Sequence, residues 1–325
     1  MKQQALVQLR NAIRTSTSSM TSVPKPLKFL RPHYAHLKQT FAKWADSSDI
    51  KWDLADILSV LAMTQPQPAR PAETAAADNK EDGTAAEAAA PAAPAKETGT
   101  ERESLKYKLL SRELLVKSGK KLPAAAPAAA SSSTGAAAAA GPEPAGSVGA
   151  WGHEYVRNLA GEIGKEYSAR EERGESVADL ESLVDEILPF FIQHNADFDA
   201  CDLLIEVEQL GKLASHVTKD NVARINLYIL RCSDYTATSE EKTALLELVF
   251  DNYLATEQWS DALRLALKLH NSAALASGGV DRIQQVFDHP TVAADPLLAK
   301  QLGFMVGAMK IVPEGLKENE EIMVS

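Results

Sequence analysis

The chain is poor in cysteine. Only Cys201 and Cys232 occur among 325 residues, too few for a disulfide framework, so a reducing compartment is the expected setting. No stretch of about 18 apolar residues is present, which leaves no candidate for a membrane-crossing helix. The first residues lack a continuous apolar core, so no secretory leader is expected. Gly-rich phosphate loops are missing, because Gly278-Gly279 has no Lys-Ser/Thr behind it. CxxC and HxxxH pairs are missing too. Nothing therefore nucleates a zinc site from Cys201, Cys232, His194 and His216.

The remaining candidates for chemistry fail on spacing. His153-Glu154 begins like a zinc-protease motif, but that motif needs its second His where Arg157 stands. Asp197, Asp199 and Asp202 resemble calcium ligands. The sixth position of such a loop must be glycine for the sharp turn, and here it is Asp202. Asp197 and Asp199 suit instead the N-terminal dipole of the helix that follows. Cys201, beside Leu203-Leu204, reads as a small buried hydrophobe. No nucleophile and base pair is visible. Catalytic residues, cofactors and metal ligands are accordingly expected to be none. Trp151, Tyr155, Tyr253 and Trp259 sit at helical spacings and read as core. Glu171-Glu172, Glu240-Glu241 and Glu318 to Glu321 read as solvated faces and ends.

Charge is unevenly spread within the net −10. Residues 1–64 hold nine Lys/Arg against four Asp/Glu, residues 65–150 ten of each, and residues 151–325 fifteen against thirty. An acidic body repels phosphate backbones, so no nucleic acid partner is expected. The asymmetry favours a basic segment that docks on an acidic surface, its own or a partner's. Met1 to Ala45 contains no acidic residue and is rich in Lys, Arg, Ser and Thr. That is also the composition of a mitochondrial transit peptide.

Two stretches, 65–104 and 117–149, are dominated by Ala, Pro, Gly, Ser and Thr. They carry too few large apolar side chains to offset their ordering entropy, and they read as disordered insertions. Between them, 105–116 reads as one amphipathic helix too short to stand alone, which must dock on the helices either side. The chain thus divides into a basic N-terminal helical segment (1–64), an insertion (65–104), an isolated helix (105–116), a second insertion (117–149), a helical-repeat solenoid (150–310) and an acidic tail (311–325).

Hydrophobic periodicity predicts helices over about 3–14, 33–45 and 52–63. Leu6, Leu9 and Ile13 form the stripe of the first, with Arg10 and Arg14 off it. Pro24 and Pro26 predict an extended link, and Pro32 suits the first turn of the next helix. From 151 onward helices are predicted at about 151–169, 177–193, 197–209, 219–232, 240–255, 259–270, 280–288 and 296–309. Leu245, Leu246, Val249, Phe250 and Tyr253 line one of these. Trp259, Ala262, Leu263, Ala266 and Leu269 line its neighbour, with small Ala residues allowing close approach. Short connections favour antiparallel packing of neighbours. The predicted fold is all-α, an α-solenoid of antiparallel helical hairpins.

Ser19 to Tyr34 (SMTSVPKPLKFLRPHY) resembles a signature near the N-terminus of the largest non-ATPase subunit of the proteasome regulatory-particle base. Ala55 to Thr64, Ser104 to Leu109, Trp151 to Glu162, His194 to Gln209 and Ala262 to Leu269 are similar to the same family, in its order. The insertions are not part of that pattern. The resemblance implies a non-catalytic scaffold that supports ubiquitin-dependent degradation in cytoplasm and nucleus. It argues against a transit peptide, because the basic Ser/Thr segment belongs to the family pattern. Implied partners are the base ATPases and other regulatory-particle subunits. The family's ubiquitin-binding surfaces lie mainly in a toroid of helical repeats that would begin about where this chain stops. No ubiquitin or shuttle-factor contact is carried over to it. Lys25, Lys28 and Arg31 are the expected partner-contact residues. The competing readings are a helical-repeat adaptor outside the proteasome and a hydrolase whose site the sequence hides.

Overall fold

The computed structural model describes residues 2–16, 25–46, 48, 50–65, 102–123, 146–271 and 279–308. Most of both Ala/Pro-rich insertions, and the whole acidic tail 311–325, lie outside the described residues. All regular elements among the described residues are helical. The chain divides into two units, Met1–Phe190 and Phe191–Ser325.

The first unit is built around α4 (Lys51–Met63), in which every residue from Lys51 to Leu61 is buried. Leu54, Ile57, Leu58 and Leu61 are each at most 1% exposed. A helix this enclosed needs neighbours on all sides. They are α1 (Lys2–Ser16), α3 (Tyr34–Lys43), α5 (Glu103–Lys117) and α6 (His153–Arg173). The helix predicted over 105–116 is therefore α5, and it docks mainly on α4. Trp52 and Ala55 of α4 meet Leu114 and Leu115 of α5, with Phe41 and Leu122 packed at the edge. Phe41 and Tyr107 meet edge to face, 5.7 Å between centroids. On α1, Leu6 and Ile13 are buried as their spacing predicts.

The extended link expected from Pro24 and Pro26 is corrected over its described part. Pro24 lies outside the described residues, and Lys25–Leu30 is a short helix, α2. Pro26 is its second residue, where a missing N–H has no intrahelical bond to lose. A 3-10 turn, Arg31–His33, carries Pro32 and leads into α3.

α6 ends at Gly174, whose φ of +66° is the left-handed cap. Its N–H donates to the Glu171 carbonyl at 3.0 Å, and that of Glu175 to Arg170 at 2.9 Å, the two bonds of a Schellman end. α7 (Ala178–Gln193) follows, and the division between the units falls in its last turn.

The second unit holds α8 (Asp197–Glu206), α9 (Val222–Cys232), α10 (Ser239–Ala255), α11 (Trp259–Asn271), α12 (Gly279–Asp288), α13 (Pro290–Ala293) and α14 (Pro296–Ala308). Each packs on its neighbour in sequence, as in an all-α solenoid. The α10–α11 stripes are buried as read except at Tyr253, which is half-buried: Leu246, Val249, Phe250, Ala262, Leu263, Ala266 and Leu269 are all at most 3% exposed. Between α9 and α10, the buried Asn252 amide donates to Asn226 Oδ1 at 2.9 Å. That pair fixes the register of the two helices, because a slip would orphan two buried amides. The 3-10 turns Gly149–Trp151 and Leu210–His216, and α13, are elements the periodicity does not predict.

Candidate functional site

Two features of the first unit carry its charge: an ionic cluster in the interior and a basic knuckle on the surface. The cluster forms because α4 carries two carboxylates inward. Asp56 is 1% exposed and accepts three donors from three distant parts of the chain. Lys108 Nζ of α5 lies 2.9 Å from Oδ1. The Trp151 indole N–H donates to Oδ2 at 3.0 Å, and Arg10 Nη2 of α1 donates to the same oxygen at 3.2 Å. Lys108 also donates to the Gly146 carbonyl at 2.8 Å. Arg10 pairs with Asp53 as well, and its guanidinium lies 4.9 Å from the Trp52 ring and 5.7 Å from the Trp151 ring. Two cations thus face two carboxylates, and the charges balance inside. Burial pushes the Asp53 carboxyl above its usual range, with Arg10 pulling against it.

Further buried polar bonds tie the same helices. Ser59 Oγ donates to the Ser104 carbonyl at 2.6 Å and shares a 2.6 Å bond with the Tyr155 hydroxyl. Glu162 accepts the Leu105 N–H at 2.7 Å and the Asn158 amide at 3.1 Å. Burial still raises its pKa. Arg112 donates to Glu186 at 2.5 Å and to Ser182 at 2.9 Å. These bonds brace α1, α4, α5, α6 and α7 against one another, while Arg10 Nε and Asp53 Oδ1 are buried without a hydrogen-bond partner among the described residues.

The knuckle is α2 with the 3-10 turn after it. Leu27, 1% exposed, anchors it. Tyr34 and Lys38 tie the following helix down through Glu103, at 2.8 and 2.5 Å. With that face fixed, Lys25, Lys28 and Arg31 all point to solvent. So does Phe29, at 76% exposure. The three named cations are all exposed on this short stretch, and Phe29 is exposed beside Lys25, one turn on. Phe29 was not singled out from sequence. Its signal is that Leu27, Phe29 and Leu30 cannot all face inward on six residues.

The residues weighed for chemistry are placed as follows. His153 sits against Phe190, 6.3 Å between ring centroids. Asp197, 2% exposed, opens α8 and pairs with Arg224 at 2.7 Å. Cys201 is fully buried and its thiol is pushed up to about 12, chiefly by burial. Trp151, Tyr155 and Trp259 are buried. Among the described residues, no group of three or more His, Cys, Asp or Glu is placed to hold a metal ion. No described helix is long and apolar enough to cross a membrane. Glu318 to Glu321 lie outside the described residues.

Comparison with known proteins matches the sequence of this chain to one family. The RPN1 N-terminal domain matches residues 1–77 and 140–324. The 26S proteasome non-ATPase regulatory subunit 2 of Dictyostelium discoideum is 37% identical over 310 residues, which are 95% of this chain and 26% of that protein. Homolog A of the same subunit from Arabidopsis thaliana is 36% identical over 302 residues, 93% of this chain and 25% of the relative. The 26S proteasome regulatory subunit rpn1 of Schizosaccharomyces pombe is 34% identical over 307 residues, with shares of 94% and 26%. The chain spans about a quarter of the length of these relatives. The family match leaves out 78–139, the stretch that contains α5 and with it Lys108 and Arg112.

Proposed function

The chain belongs to the RPN1 N-terminal domain family, and on that premise we propose that it is a non-catalytic scaffold segment in the base of the proteasome regulatory particle. Its relatives are named as non-ATPase regulatory subunits of the 26S proteasome. The reading places the chain in cytoplasm and nucleus, supporting ubiquitin-dependent protein degradation without catalysing a step of it. Its partners on this reading are the base ATPases and other regulatory-particle subunits.

The observation that carries the proposal is the knuckle. Lys25, Lys28 and Arg31 are exposed on the same short stretch as Phe29, which is 76% exposed. Arginine and aromatic side chains at the centre of a contact contribute most to protein association. Exposed cations also speed encounter with an acidic partner. α2 packs on α1, which the buried ion pairs of Arg10 tie to α4. A helix rich in Glu, as in a coiled coil of a base ATPase, is the partner this surface suits.

The test is charge reversal at all three positions, Lys25→Glu, Lys28→Glu and Arg31→Glu. Co-purification with the base ATPases is expected to fall several-fold while the circular dichroism spectrum stays unchanged. An undiminished yield of ATPases from the triple variant would remove the proposal. Purification with a different set of partners would point to a helical adaptor outside the proteasome.

A further inference from the structure

α5 gives one face to α4 and leaves another open. Leu105, Leu109 and Val116 share one stripe of the helix, at i, i+4 and i+11. Leu110 and Leu122 extend this apolar floor, and α6 and α7 supply the opposite wall. The groove between them encloses about 940 Å³. Val116 is 53% exposed there, and Leu109, Leu110 and Leu122 are half-buried. α5 has 15 residues, which makes the groove roughly 22 Å long. A trough of about four helical turns, with an apolar floor on α5 and a polar wall of Glu166, Arg170, Asp179 and Ser182, has the form that receives an amphipathic helix.

The rim has the opposite charge to the chain. Five cations and three carboxylates line the groove. Arg112 is spent on buried Glu186, and Arg102 and Arg170 on Glu166 and Asp179. That leaves Lys106 and Lys117 against Glu113, in a molecule of net −10. Arg102 and Arg170 share Glu166, at 2.5 and 2.8 Å. Lys106 and Lys117, eleven residues apart, share one side of α5, with Glu113 next to them toward the Leu105 stripe and Leu110 beyond. Lys106 is exposed. Lys117 pairs with Glu113 one turn earlier, at 2.6 Å, with both side chains more than half exposed, and Asp46 also stabilises its charge. Such a surface pair is weak, so Lys117 remains available to a partner's carboxylate.

We propose that this groove is a docking site for an amphipathic helix of another protein. The helix carries large aliphatic residues at i, i+4 and i+7 and acidic residues along its flank. Charge complementarity selects this occupant, since the lysine edge repels a basic helix and attracts an acidic one. The inference does not depend on the proteasome reading, because the floor and rim are properties of α5 to α7 alone.

The test uses the full chain and two fluorescein-labelled 16-residue peptides, judged by anisotropy. Both are Ala-based with Leu at the anchor positions, and one is flanked by Glu where the other has Lys. The Glu peptide is expected to bind saturably and about tenfold more tightly than the Lys peptide at low salt, the effect of two surface ion pairs. Raising the salt should shrink that preference. Lys106→Glu with Lys117→Glu should abolish it, and Val116→Glu should weaken both peptides. All of these positions are exposed, so the fold should survive, as a thermal melt would verify. Equal binding of the two peptides, or saturable binding of neither, overturns the proposal. So does a dimer by light scattering that Val116→Glu dissolves, since the occupant is then a second copy. Binding seen only after residues 66–101 or 124–145 are cut out assigns the groove to this chain's own segments and overturns it too.

Discussion

Lys108 Nζ of α5 sits 2.9 Å from Asp56 Oδ1 of α4, and both side chains are 1% exposed. This contact joins a helix within the stretch that the family match leaves out to the most enclosed helix of the unit. A buried pair of this kind contributes little net stability, yet breaking it strands a charge. Lys108→Met is therefore expected to lower unfolding stability by about 3 kcal/mol. Lys108→Met combined with Asp56→Asn should cost less than the two singles added together. Urea unfolding followed by circular dichroism measures both, and strict additivity would show that the pair is not coupled.

Arg10 offers a sharper test of geometry against charge. Its guanidinium reaches Asp53 and Asp56 at once while lying between two indole rings. A lysine keeps the charge but loses the planar fork and the stacking. Arg10→Lys should cost about 1–2 kcal/mol. It should also raise amide exchange in α1 before the rest of the unit. A variant indistinguishable from the parent in both readouts would mean that any cation serves.

The helices from α6 to α11 were legible because their signal is local. Stripes such as Leu245, Val249 and Phe250 repeat within one helix, and the ends carry Gly174 or Asn195 in left-handed caps. The ionic cluster was not legible, since its members lie 46, 52 and 95 residues from Asp56. Arg10 stands off the apolar stripe of α1, and Asp53 and Asp56 look like the solvent face of an amphipathic helix. Only the arrival of α1 and α5 from opposite sides turns that face inward. Pro26 misled for a different reason: proline opposes a helix interior but suits a second residue. Arg10 pairs with Asp53 and Asp56, two of the four carboxylates of its own basic segment, so this contact does not dock that segment on the acidic body. Lys25, Lys28 and Arg31 remain exposed, together with Phe29, which no charge count would reveal.

Glu162 gives a pH signature. Burial raises its pKa despite three hydrogen bonds that favour the carboxylate, so the folded state holds the proton more tightly than the unfolded chain does. Its effect on stability is then most favourable below the unfolded glutamate value of about 4.3 and is lost as pH rises through the folded value. Glu162→Gln keeps an acceptor for the Leu105 N–H and removes the buried charge. Thermal melts from pH 4 to 8 should show the variant gaining on the parent as pH rises. A constant difference across that range would assign the decline to another group, Asp53 being the next candidate because its pKa moves the same way.

Glu208 is exposed and follows α8 with φ of +54°. The Gln209 N–H donates to the Leu204 carbonyl at 2.9 Å and closes the helix. A left-handed glutamate costs about 1–2 kcal/mol, and glycine there costs less because only its unfolded-state entropy opposes it. Glu208→Gly should stabilise by roughly 0.5–1 kcal/mol, seen as a higher melting temperature. Melting at or below the parent's temperature would mean that the glutamate compensates its strain through a contact glycine cannot make.

Leu27 and Phe29 stand two residues apart on α2 with opposite fates, 1% and 76% exposed. Replacing each by alanine separates folding from recognition on one short helix. Leu27→Ala removes the anchor and should cost about 2–3 kcal/mol, the usual range for a buried leucine. It should also weaken partner binding, because the knuckle loses its fixed orientation. Phe29→Ala touches no core and should leave the melting curve within about 0.5 kcal/mol of the parent. If α2 is a contact surface, the same substitution should still reduce co-purification of the base ATPases, as loss of a central aromatic does in other interfaces. Full retention of partners by Phe29→Ala, beside loss in Leu27→Ala, would mean that α2 only braces the unit and that recognition lies elsewhere.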